Sequence, residues 1–60
     1  MHLKLNTSAS LYSPERAEKI AASLREGGED ARVTDVGNDR GFLRVDLYED
    51  GVFVMSWNEG

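Results

Sequence analysis

The chain has 60 residues, no cysteine, one histidine and a formal charge of −4, which makes it one domain near the smallest size at which a single apolar core offsets chain entropy. Without cysteine there is no disulfide framework, no thiolate metal site and no thiol nucleophile, and a reducing cytoplasm is the expected location. No apolar run approaches the roughly 18 residues of a membrane span, and MHLKLNTSAS lacks the apolar centre of a secretion signal, so a soluble chain complete from Met1 is expected.

In chain order, HLKLNT alternates, with Leu3 and Leu5 on one face and His2, Lys4 and Asn6 on the other, as in a half-buried strand. The next segment, SASLYSPERAEKIAASLREGG, carries a helix. Ser13 is a capping residue, Pro14 suits the first helical position, and Tyr12 can fold over Ala17 as a hydrophobic staple. Ala17, Ile20, Ala21 and Leu24 form one narrow apolar stripe, and Gly27-Gly28 ends the helix. A strand follows in ARVTDV, with Ala31 and Val33 inward, then a turn-forming loop in GNDRG. FLRVDLY and VFVMSW form a hairpin. The expected order is β-α-β-β-β, an α+β domain over residues 1–60 with one helix on one face of a four-stranded sheet.

The hairpin turn decides which side chains reach the core. A two-residue loop, Asp50-Gly51, pairs Tyr48 with Phe53 and leaves Phe42, Tyr48, Phe53, Met55 and Trp57 together in water. A three-residue loop, Glu49-Asp50-Gly51, places Phe53, Met55 and Trp57 with Leu43, Val45 and Leu47 under the helix. Burying two aromatics and a methionine is worth several kcal/mol at about 25 cal/mol per Å². A chain this small needs that contribution, so the three-residue loop is expected. The outer face then holds Phe42, Arg44, Asp46, Tyr48, Val52 and Val54, either as a solvated sheet face or as a docking or dimer surface.

Charge is unevenly placed. Residues 1–25 carry two acids against four bases, whereas residues 26–60 carry nine acids against three bases. The crossover through the helix brings its C-terminus and the hairpin turn to one end of the molecule, so Glu26, Glu29, Asp30, Glu49 and Asp50 are expected to cluster. Such an end disfavours direct nucleic-acid binding and suits a basic protein surface, although solubility alone also explains it.

Signs of catalysis are sparse. His2 stands at the chain start without an evident orienting partner, and Thr7, Ser8, Ser10 and Ser13 accompany no nucleophile elbow. DVGNDRG has Gly37 where a calcium ligand belongs and Arg40 where the glycine belongs. No catalytic residue, metal or cofactor is expected.

SPERAEKIAASLREGGEDARV followed by FLRVDLY resembles the helix, strand and Arg-Val strand of one half of a SPOR-type peptidoglycan-binding domain. The resemblance covers about half of the chain. The family's second helix is missing, and its glycan site does not carry over to these residues. In size and acidity the chain also fits the general character of small phage proteins that inhibit bacterial defence complexes, anti-CRISPR proteins among them. The leading expectation is thus a non-enzymatic inhibitor or adaptor that docks its acidic end on a basic partner, without membrane or direct nucleic-acid contact. The alternative is a structural homodimer formed through the outer sheet face. A small-ligand-binding domain or enzyme ranks below both.

Overall fold

A computed structural model describes residues 10–58 of the chain. These form an α+β unit in the order α1 (Pro14–Glu26), β1 (Asp30–Asp35), β2 (Leu43–Glu49) and β3 (Val52–Ser56). The three strands make an antiparallel sheet in the order β1-β2-β3. Among the described residues the order is therefore α-β-β-β with three strands, not the expected β-α-β-β-β with four. The segment expected to supply the first strand, HLKLNT, lies outside the described residues.

The helix begins and ends where its residue chemistry dictates. The Ser13 hydroxyl accepts from the Arg16 amide at 3.4 Å, and Pro14 occupies the first turn, where its missing N–H costs nothing. At the other end the Gly28 amide bonds Arg25 O at 2.9 Å and the Glu29 amide bonds Leu24 O at 3.0 Å. This is a Schellman closure, with Gly28 in the left-handed region at φ 98°. It satisfies two carbonyls that the helix leaves open and turns the chain directly into β1.

The helix lies over β1 and β2. Ala17 and Ala21 are fully buried and join Tyr12, Ala31, Val45 and Leu47 in the core, with Ile20, Leu24, Val33, Leu43 and Trp57 packed around them. Tyr12 is also held by its backbone, which exchanges hydrogen bonds of 2.8 and 2.7 Å with Leu43. Beyond the end of β3, the Trp57 amide bonds Val45 O at 2.7 Å and the Ser10 hydroxyl donates to Asn58 Oδ1.

The hairpin turn corrects the expected register and then partly restores it. Glu49 pairs with Val52 and Tyr48 with Phe53, so the loop is the two residues Asp50-Gly51. Both have positive φ, 54° and 80°, as a type I′ turn requires, and this turn matches the twist of the flanking strands. The ladder then shifts between Leu47 and Tyr48. Leu47 faces Met55 and Asp46 faces Ser56, leaving Val54 as the extra residue of a β-bulge. Because of this shift Met55 and Trp57 share the face of Leu47 and Val45 after all, while Phe53 stays on the opposite face with Tyr48. Gly51 is the residue on which the turn depends: Gly51→Ala forces a Cβ into left-handed backbone and should cost about 1 kcal/mol, read as a lower denaturation midpoint.

Candidate functional site

The acidic end is assembled by the β1–β2 pairing. Asp30 stands opposite Tyr48, so the start of β1, just after the helix cap, lies beside the end of β2 and its turn. A groove of about 470 Å³ opens there. Glu29, Asp30, Glu49 and Asp50 supply its carboxylates, and Leu47, Val54 and Met55 its apolar lining, with Gly28 and Tyr48 completing it. Four of the five expected acids therefore meet around one concavity. Glu26, exposed in the last turn of α1, does not line it.

These acids differ in how they are held. Asp30 accepts from Arg32 Nε at 3.2 Å and Nη2 at 3.0 Å, and this hydrogen-bonded pair holds its carboxyl below the ordinary 3.8. The Arg32 guanidinium also lies 4.0 Å from the centroid of the Tyr48 ring, a cation–π contact across the two strands. Glu29, Glu49 and Asp50 are exposed and have no ion-pair partner among the described residues. Carboxylates so close to a helix C-terminus oppose its dipole, each by roughly 0.3–1 kcal/mol at low salt. Arg25 partly offsets this in the last turn, where its Nε donates to Ala31 O at 2.9 Å. Among the described residues no three His, Cys, Asp or Glu side chains are placed to hold a metal ion. The arrangement suits lysine or arginine side chains that also carry apolar surface.

The outer sheet face has a different composition from that expected. Arg44, Asp46 and Tyr48 occupy it, as alternation along β2 requires. Val52 does not: its partner is Glu49, which shares the helix-bearing face of the sheet with Leu47, so the two-residue turn removes it from the outer set. Val54 belongs to the bulge. Phe42, half-buried, precedes β2. The aromatic member gained is Phe53, whose ring meets Tyr48 edge to face at 5.9 Å and 81°.

Asp46 lies on this face yet is only 1% exposed. Its carboxylate accepts from Arg44 Nε and Nη2 at 2.7 and 3.0 Å, from the Thr34 hydroxyl at 2.7 Å and from the Ser56 hydroxyl at 2.8 Å. Burial pushes the carboxyl up, but the hydrogen bonds from Arg44, Thr34 and Ser56 outweigh it and hold the group below 3.8. One side chain from each neighbouring strand thus ends on the central one. Asp46 acts as a clasp across β1, β2 and β3, and its acceptor positions are filled from within the chain. Sequence reasoning placed Asp46 in a partner surface because Thr34 and Ser56, respectively 12 and 10 residues away, become its neighbours only through the two registers.

No protein-family model, curated protein or solved structure matches the chain. The likeness to one half of a SPOR-type domain accordingly extends no further than the residues that carry it. No helix among the described residues is long and apolar enough to cross a membrane.

Proposed function

We propose that the protein is a non-enzymatic interaction module, an inhibitor or adaptor that docks the groove at its acidic end on a basic segment of a partner protein. The observation that carries this reading is the conjunction of exposed carboxylates with apolar lining in one concavity, Glu29, Glu49 and Asp50 beside Leu47, Val54 and Met55. Acidic residues alone serve solubility equally well. Acidic residues around an apolar floor complement a segment in which lysine or arginine alternates with apolar side chains, giving both steering and burial. Small phage proteins that block bacterial defence complexes offer a biological setting in which an acidic module covers a basic, nucleic-acid-binding surface.

The reading is tested with a fluorescent peptide of alternating lysine and leucine, its binding followed by anisotropy at low and high salt. The wild type should bind at low salt and release as salt rises. Glu49→Lys combined with Asp50→Asn should weaken binding more than tenfold at low salt while leaving the circular dichroism spectrum unchanged, because asparagine tolerates the positive φ of the turn. Equal binding by wild type and variant removes the acidic groove as the docking site.

A further inference from the structure

The two edges of the sheet are unlike. β1 carries Asp30, Arg32 and Asp35, charges that blunt pairing with another chain. β3 is the other edge among the described residues, and it reads VFVMS without a charge or a proline, the Val54 bulge being its one interruption. Its first four residues, Val52, Phe53, Val54 and Met55, are 65, 44, 53 and 44% exposed, an apolar run open on both faces of the sheet. Such an edge offers a template for a further strand.

Charge at the two ends of β3 indicates which strand fits. At its start stand Glu49 and Asp50. At its far end a second groove, of about 290 Å³, lies between Trp57 and the helix, and Arg16 and Lys19 line it together with Ile20, Ser23 and Leu24. The edge therefore runs from acidic through apolar to basic, on the helix-bearing side of the sheet. A pattern of this kind complements its own reverse.

We propose that β3 pairs antiparallel with β3 of a second copy, joining the three described strands of each copy into one continuous sheet about a two-fold axis perpendicular to it. The axis reverses one β3 against the other and keeps both helices on the same side. Each acidic turn then falls beside Trp57 and Lys19 of the other copy, and the contact is made twice. Apolar β3 residues meet their own kind between these two ends. Among the described residues the pairing closes on itself, because the edges that remain are the two charged β1 strands. The charge of −4 on each copy opposes association at long range, but a Debye length of about 8 Å at physiological salt leaves the local complementarity to decide. Since the Glu49–Asp50 turn serves both contacts, a second copy and a basic partner exclude each other there.

The experiment is sedimentation equilibrium of the full chain from micromolar to millimolar concentration. Wild type should rise to twice the chain mass, and added salt should weaken the association. Val54→Lys, at an exposed position, should remain folded by circular dichroism and stay monomeric. Lys19→Glu should weaken dimerisation about tenfold, since it replaces two attractions by two repulsions, and adding Glu49→Lys to it should restore the dimer. A wild type that keeps the monomer mass at millimolar concentration overturns the proposal. So does a dimer indifferent to Val54→Lys, which would place the interface on another surface.

Discussion

Asp46→Ala should destabilise the domain by about 3 kcal/mol, the low end of the cost of removing one partner from a buried ion pair, because Arg44 still reaches water. The substitution removes the acceptor of four hydrogen bonds at once and leaves the Thr34 and Ser56 hydroxyls without their shared partner. A domain of this size has a net stability of roughly 3–5 kcal/mol, so the variant should keep no more than about 2 kcal/mol and unfold at much lower urea than the wild type. Urea denaturation followed by Trp57 fluorescence measures the loss. A loss below about 1 kcal/mol would show that the clasp adds little to sheet stability. The same group makes stability pH-dependent. Its folded titration lies below 3.8 and its unfolded one near that value, so its contribution is complete at neutral pH and disappears as pH falls through the depressed folded value. Asp46→Asn should therefore flatten the acid limb of the stability profile below about pH 4, as well as lowering the plateau.

Ala21→Leu should cost about 2 kcal/mol through overpacking. Ala17 and Ala21 stand one turn apart on the helix, are fully buried, and face a core that includes Ala31, Val45 and Leu47. Small side chains here allow the helix to sit close to the sheet. Added carbons have no room unless the helix moves outward, and outward movement loosens the contacts of Ile20, Leu24 and Tyr12 together. Leucine and alanine have nearly equal helix propensity, so the backbone contributes little to the difference. Ala22→Leu is the control: it makes the same chemical change one residue later, on the exposed side, and should alter stability by no more than about 0.5 kcal/mol. Equal denaturation midpoints for the two variants would refute the close-packing argument.

Much of the local structure was legible in the residues. Ser13-Pro14 and Gly27-Gly28 bound the helix because capping and left-handed backbone are properties of single side chains. Ala17, Ile20, Ala21 and Leu24 mark its buried stripe because the helical period is invariant. The inward facing of Ala31 and Val33 and the convergence of Glu29, Asp30, Glu49 and Asp50 followed from alternation and from the direction of the strands. Each of these features depends on contacts near in sequence or on topology alone.

The hairpin register was not legible, because two requirements pulled it in opposite directions. Turn chemistry favours Asp50-Gly51 as a two-residue loop, and core burial favours placing Met55 and Trp57 under the helix. Burial energy taken alone selected a three-residue loop. The folded chain keeps the two-residue turn and, by placing an extra residue at Val54, returns Met55 and Trp57 to the helix-bearing face, where Trp57 packs against the core while Met55 stays exposed and Phe53 is left on the outer face. A bulge has no fixed sequence signature, since it depends on what the opposing strand and the helix demand at that point.

The sequence by itself determined the α+β class, the limits of the helix, the apolar stripe and the acidic bias of residues 26–60. Tertiary structure alone decided which residues share a sheet face, that Asp46 is a buried clasp, and that β3 is the uncharged edge among the described residues. The physical reason is range. Capping, helical periodicity and net charge belong to neighbouring residues, whereas the partners of Asp46 and the exposure of β3 exist only once three strands have been brought together in a particular register.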